Sequence, residues 1–403
     1  MTGDIQMKER IGNDYRHTIY ACYIGFVTQA VVINFAPLLF VRFGVEFDIP
    51  LEKITLLATV NFLVQLITDA VSPLLINRFG YRSQAVLAHV LCGTGLILMT
   101  FLPGLFKDPS AGLIISVVIY SIGAGLIEVI NNPLVESCPT GEREAALSLL
   151  HSFYCWGQVF TVIVSTLFFF LFGLGRWRIL AVLWAAVPLI NSVYFLFVPI
   201  NEPKSVSHSG SRSVFREKYF YIFCLMMIFA GATEHAMCQW ASSFTETALG
   251  VSKTAGDILG PCLFAACCGT ARLLNAKFGS NRSLMPLMGI GASLCAVSFA
   301  AASISPFPAV GLAACGLCGI GTGILWPGTC SLASERFEGT SASLSAYLAL
   351  AGDIGCSLGP TVSGFVSSGL GGNIRYGMAA SIIFPLMFAC IILVLRVRSK
   401  KTP

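Results

Sequence analysis

Asn77-Arg78-Phe79-Gly80-Tyr81-Arg82-Ser83 lies between two long apolar stretches, and one half-chain later Ala276-Lys277-Phe278-Gly279-Ser280-Asn281-Arg282-Ser283 lies between two more. A cation-Phe-Gly turn is therefore used twice. A second echo agrees with it: Gly125 stands eight residues before Pro133, and Gly319 stands eight before Pro327. The chain reads as two copies of one unit, joined by the Ser-rich polar stretch from Asn201 to Lys218. The expected division is an N-terminal six-helix bundle over 1–203, a cytoplasmic linker over 204–218 and a C-terminal six-helix bundle over 219–403.

Composition names the solvent of these units. Of 403 residues, 55% are hydrophobic and 11% charged, with a mean hydropathy of +0.78. A water-soluble domain carries about 25% charged residues. Crossing a hydrocarbon layer of ~30 Å takes about 20 apolar residues in a helix, and twelve segments qualify. They lie near 18–41, 54–77, 84–106, 111–135, 146–171, 178–200, 219–244, 254–275, 283–304, 308–331, 342–367 and 376–396. The expected fold class is an all-α membrane protein of twelve transmembrane helices in two pseudo-symmetric bundles. The polar stretch from Met1 to His17 precedes a full-length span without a small-residue cleavage site, so the first span reads as retained.

An even number of spans puts both termini on one side. Seventeen Lys and Arg fall on that side, among them Arg78, Arg82, Arg212 and Lys400, and seven fall on the other. The excess marks the cytoplasmic face, so both termini are expected in the cytoplasm and the chain in the cell's inner or plasma membrane. The net charge of +5 follows from this bias and gives no reason to expect nucleic acid as a partner. Fifteen cysteines, an odd number, sit mostly inside spans and read as small packing residues. Cys315-Gly-Leu-Cys318 has the spacing of a redox or metal pair, yet it sits in an apolar helix without a nearby His, where packing explains it. Nucleotide loops and His-Glu-x-x-His strings are absent. No metal or organic cofactor and no catalytic residue is expected.

Polar residues inside the spans carry the function, because an ionisable group at the centre of a membrane helix costs about 2.5–3.5 kcal/mol on insertion scales. In the fourth span Glu128 is followed by Asn131, Asn132 and Pro133. Glu128 and Asn132 are one turn apart and share a face. Such a carboxylate accepts hydrogen bonds from solute hydroxyls, or carries a proton; the alternative is a structural bond to a neighbouring helix. The seventh span holds Glu234, His235, Gln239 and Trp240, with Trp240 either stacking on a solute ring or sitting at the membrane interface. His151, Tyr154 and Gln158 form a polar stripe on the fifth span. Gln29 and Asn34 of the first span are candidate hydrogen-bond donors to a solute. The second span has Asn61, Gln65 and Asp69 at four-residue spacing, and Asp69 falls toward the cytoplasmic half, where a gate is as plausible as a solute site. Arg272 and Asp353 are buried charges of opposite sign, expected to pair with each other or with partners such as Asp69 and to serve gating with Arg78 and Arg82. His89 lacks a polar companion at helical spacing and reads as packing.

Twelve spans in six-plus-six form, with Arg78-Phe-Gly-Tyr-Arg82 between the second and third, resemble the major facilitator superfamily. The loop departs from the family pattern at Pro73, where Gly is usual, and at Asn77, where Asp is usual. Within the superfamily, Glu128-Val-Ile-Asn131-Asn132-Pro133 resembles the fourth helix of the fucose and glucose/galactose permease branch, and Ala351-Gly352-Asp353-Ile354-Gly355-Cys356-Ser357-Leu358-Gly359-Pro360 looks similar to members of that branch. The branch keeps a carboxylate four residues before a Pro in helix one; counting back from Pro37 gives Ile33, beside Asn34. The resemblance implies a secondary transporter working by alternating access, taking up a small neutral solute such as a monosaccharide with a proton. Glu128 or Glu234 would carry the proton, with no other cofactor, and the protein would act as a monomer in the lipid bilayer. Export of drugs or metabolites is the alternative; a non-transporting receptor or an intramembrane enzyme is more remote.

Overall fold

The computed structural model describes residues 14–139, 143–201, 217–278, 284–337 and 341–399, and every element in them is helical. The first helix, α1 (Arg16–Asn34), ends where Pro37 can no longer donate to the helical ladder; a 3-10 turn over Ala36–Leu39 follows, then α2 (Phe40–Phe47). Asp48, with φ 53 and ψ 44, stops α2 in the left-handed region. The long α3 (Leu51–Phe101) contains two of the expected spans. They part at Gly80, whose φ of 76 and ψ of 165 are open to glycine and strained for any other residue. The glycine of the repeated turn is thus the residue that reverses the chain. Asp108 caps α4 (Pro109–Ser137) by accepting from the Ser110 amide at 3.1 Å, with Pro109 at the first helical position.

Helices α5 (Arg143–Phe172) and α6 (Trp177–Phe197) follow, turned by Gly173 at φ 84. Of the expected linker over 204–218, only Glu217 and Lys218 are among the described residues, and Lys218 opens α7 (Lys218–Ser243). Then come α8 (Lys253–Asp257), α9 (Leu263–Phe278), α10 (Leu284–Ile304), α11 (Pro308–Arg336), α12 (Ser341–Gly369), α13 (Ile374–Ser381) and α14 (Ile383–Ser399). Stretches of π-helix over Phe244–Ala248 and Ile258–Cys262 flank α8. Ten helical segments among the described residues are long and apolar enough to cross a membrane. One of them, Leu51–Gly104, holds two expected spans, and α12 lies where the eleventh is expected. Each expected span therefore has its helix.

The chain divides into two compact units. Unit 1 comprises 1–36 and 63–205, and unit 2 comprises 37–62 and 206–403. Residues 37–62 thus group with unit 2 although they precede the linker. Each unit is held by small residues where helices cross. A methyl group at Gly125 of α4 would lie 2.9 Å from both Asp69 Oδ1 and Thr68 Cβ of α3, and one at Gly319 of α11 would run into the Phe264 carbonyl of α9. The two repeat-related glycines do the same work, bringing the fourth helix of each half against the second. All fifteen cysteines are free; Cys315 and Cys318 are buried in α11, and Cys295 Sγ of α10 lies 3.6 Å from the Cys318 carbonyl. Large apolar side chains such as Ile190, Phe170 and Val297 face outward, as they do when the surroundings are lipid.

Candidate functional site

In unit 1, candidate residues bond α1 to its neighbours at three heights. Lowest in the chain, Asn131 of α4 donates its Nδ2 to the Cys22 carbonyl at 3.1 Å. It is 1% exposed, and Gly25 makes room for it: a Cβ there would come within 2.8 Å of Asn131 Nδ2. Asn131 therefore braces α4 against the α1 backbone. Two turns further along α1, Gln29 Nε2 donates to Glu128 Oε2 at 2.7 Å. Higher still, Gln158 of α5 donates to Asn34 Oδ1 at 3.0 Å, while Asn34 Nδ2 turns back to the Ala30 carbonyl at 2.8 Å.

The fourth-span cluster is thus split by the helix. Glu128 points to Gln29, and a carboxylate oxygen of Asp69 on α3 lies within 4.8 Å of one of its own. Asn132 keeps Glu128's face, and its Oδ1 is buried without a hydrogen-bond partner among the described residues. Tyr154 is half-buried one turn before Gln158. The side chain of His151 lies outside the described residues.

His89, expected as packing, and Arg82, expected at a gate, both bond to α6. His89 of α3 is not isolated: its Nε2 lies 2.8 Å from Asn191 Nδ2 of α6, which also donates to the Ala21 carbonyl at 3.0 Å. An amide N–H on Nε2 makes that nitrogen the acceptor, so Nδ1 carries the hydrogen given to the Ala85 carbonyl at 2.7 Å. His89 is a neutral, fully bonded histidine. Its companion came from another helix, where spacing along its own could not reveal it. Arg82 donates Nη1 to the Phe195 and Leu196 carbonyls, both at 2.8 Å, closing the C-terminal end of α6. Arg78 lies over the Phe79 ring at 5.2 Å.

In unit 2, Arg272 of α9 places Nη2 2.8 Å from both carboxylate oxygens of Glu234 on α7. The sequence offered Asp353 and Asp69 as partners for Arg272, not Glu234. Asp353 is half-buried on α12. His235 is buried, with its ring edge-on to Phe62 at 4.7 Å and 90°. Gln239 is buried on the same helix. Trp240, at 1% exposure, gives its indole N–H to the Pro360 carbonyl at 2.9 Å and lies 5.4 Å from the Phe40 ring. It packs unit 2 together.

A further charged group was not anticipated. Lys253 Nζ is 2.8 Å from Asp257 Oδ1 and 2.7 Å from Ser242 Oγ, and Ser242 in turn donates to Asp257 at 2.6 Å. This triad ties α8 back to the end of α7 beside the two π-helical stretches. Asp257, near the start of the eighth expected span, is fully buried.

Comparison with known proteins places this architecture. The model of the Major Facilitator Superfamily matches residues 21–360. No curated protein matches the sequence. Among solved structures, the D-xylose-proton symporter superposes with a TM-score of 0.79 at 14% identity, covering 94% of this chain and 97% of the other. The nucleoside transporter NupG gives 0.74 at 13%, covering 96% and 98%. A bacterial homolog to the human lysosomal transporter Spinster, in an inward-facing and occupied conformation, gives 0.73 at 16%, covering 95% and 97%. At these identities the likeness is one of fold.

Proposed function

This chain belongs to the Major Facilitator Superfamily, and from that premise we propose that it takes up a small neutral polar solute, such as a monosaccharide, together with a proton by alternating access. Membership makes it a multi-pass membrane transporter of a small molecule rather than an enzyme. The observation that carries the finer reading is the polar face of α4. There Glu128 receives the Gln29 amide, and one turn on Asn132 presents a buried oxygen that accepts nothing from the described residues. A buried acceptor without a donor is costly, and a solute hydroxyl is the group that would satisfy it. A carboxylate beside it both accepts from hydroxyls and takes up a proton.

Of the two acids expected to carry the proton, Glu128 suits the task better. Both oxygens of Glu234 are engaged by the Arg272 guanidinium. The named neighbours support a sugar-like solute, since one is a D-xylose-proton symporter and another a nucleoside transporter. The Lys and Arg bias supports an inner or plasma membrane with both termini in the cytoplasm. Export of cationic compounds is the second reading, favoured by Asp69 and Glu128 standing together.

Liposomes holding the purified protein, given an inward proton gradient and a panel of labelled hexoses and pentoses, test the proposal. Concentrative uptake of at least one sugar, accompanied by proton entry, is expected. No uptake across the panel, or proton movement indifferent to sugar, overturns it; accumulation of lipophilic cations instead supports export.

A further inference from the structure

Two cations of unit 2 rest on one aromatic ring. At the first residue of α7 the Lys218 ammonium stands 5.6 Å from the centre of the Tyr219 ring, and at the last residue of α11 the Arg336 guanidinium stands 4.7 Å from it. Attraction to the ring holds both heads in place without neutralising either. Among the described residues no carboxylate lies within ion-pair distance of the two. The exposed acids that precede them are directed elsewhere: Glu335 is turned about 100° from Arg336 along the helix, and Glu217 lies outside α7 with φ −91 and ψ 123. Two like charges on one support repel, and a negative group placed against both relieves that repulsion.

The depth of this pair says where such a group would come from. The membrane-crossing segments Lys218–Ala248 and Pro308–Arg336 begin and finish at these residues, so both cations stand at the edge of the hydrocarbon layer. An aromatic collar marks the same level: Phe220 meets the Tyr347 ring at 6.0 Å and 89°, and Phe223 meets Phe337 at 6.3 Å and 77°. Below Lys218 on its own face of α7 come Tyr221 and Leu225, three and seven residues on, both outward-facing at 54% and 46% exposure. A charged rim above an apolar track matches an amphiphile better than a free ion.

We propose that Lys218 and Arg336, carried on Tyr219, bind the headgroup of an anionic phospholipid. Its phosphate accepts from the ammonium and the guanidinium, and an acyl chain lies along Tyr221 and Leu225. On the orientation read from the Lys and Arg bias this is the cytoplasmic leaflet, whose surface is the negatively charged one.

Native mass spectrometry of the purified full-length protein in neutral detergent, titrated with phosphatidylglycerol and separately with phosphatidylcholine, tests the site whichever way the protein faces in a membrane. Each basic residue at an anionic surface contributes roughly five-fold in affinity, so phosphatidylglycerol is expected to bind about 30-fold tighter than phosphatidylcholine. Lys218→Gln and Arg336→Gln should each lose about five-fold of that preference and the double variant most of it, whereas Lys107→Gln, an exposed cation of another loop, should change nothing. Equal binding of the two lipids by the wild type, an unchanged preference in the double variant, or the same loss in Lys107→Gln overturns the proposal. Displacement of the lipid by equimolar glycerol phosphate assigns the site to a soluble phosphate and overturns it as well. Unfolding temperatures in lipid-free detergent confirm that the variants fold, and the two single variants decide the matter should the double one not.

Discussion

Arg272 and Glu234 share one guanidinium nitrogen between two carboxylate oxygens, each at 2.8 Å, inside unit 2. The pair cancels two charges that would otherwise be expensive within a membrane domain. It also explains why α7 can carry an acid in its apolar middle.

Breaking it on one side is therefore expected to be harmful. Removing one partner of a buried pair costs ~3–5 kcal/mol, and since the Arg272 side chain keeps 28% of its exposure, Glu234→Leu should fall at the low end of that range. Replacing both, as Glu234→Leu with Arg272→Met, should recover most of the loss. Thermal unfolding in detergent of the two single variants and the double variant measures this. A double variant no more stable than Glu234→Leu would show that the pair is not the source of the effect.

Glu128→Gln keeps the shape of the side chain and the contact with Gln29 while removing the proton. Downhill exchange of solute between two compartments should continue, but accumulation driven by a proton gradient should stop. Uptake by liposomes with and without the gradient separates the two, and retained accumulation would transfer coupling to another residue.

Trp240 distinguishes packing from solute stacking. Trp240→Phe loses the bond to the Pro360 carbonyl and should cost about 1 kcal/mol of stability, while the concentration of solute giving half-maximal uptake stays unchanged. A several-fold rise in that concentration without loss of stability would place the ring at the solute instead.

Asn191→Leu deprives His89 Nε2 of its donor and the Ala21 carbonyl of its second one. Leaving a buried acceptor unsatisfied costs ~1–3 kcal/mol. The melting temperature should fall accordingly, and His89→Leu in the same background should add less than it does alone, because the two residues form one unit.

Hydropathy alone located the spans, and the positive φ at Gly80 gives the repeated cation-Phe-Gly turn its physical meaning. Spacing along one helix also kept Glu128 and Asn132 together. What spacing could not give was the rotation of one helix against the next. Asn131 is adjacent to Asn132 in sequence, yet about 100° of turn sends it to the Cys22 carbonyl of α1. For the same reason Gln29 and Glu128, 99 residues apart, could be nominated separately but not joined. His89 read as packing for want of a polar neighbour on its own helix, and its companion Asn191 stands on another. A charge near a span's end is ordinarily solvated, and only the fold brings Lys253 and Ser242 around Asp257.

The three bonded heights of α1 act like a key in a slot. With Cys22, Gln29 and Asn34 each engaged by a different side chain, the helix is free to lean but not to spin on its axis. Tyr20 and Ile24, which face outward from it, consequently keep a constant bearing. A spectroscopic label on either would work as a compass needle for tilt, with axial rotation removed from the signal.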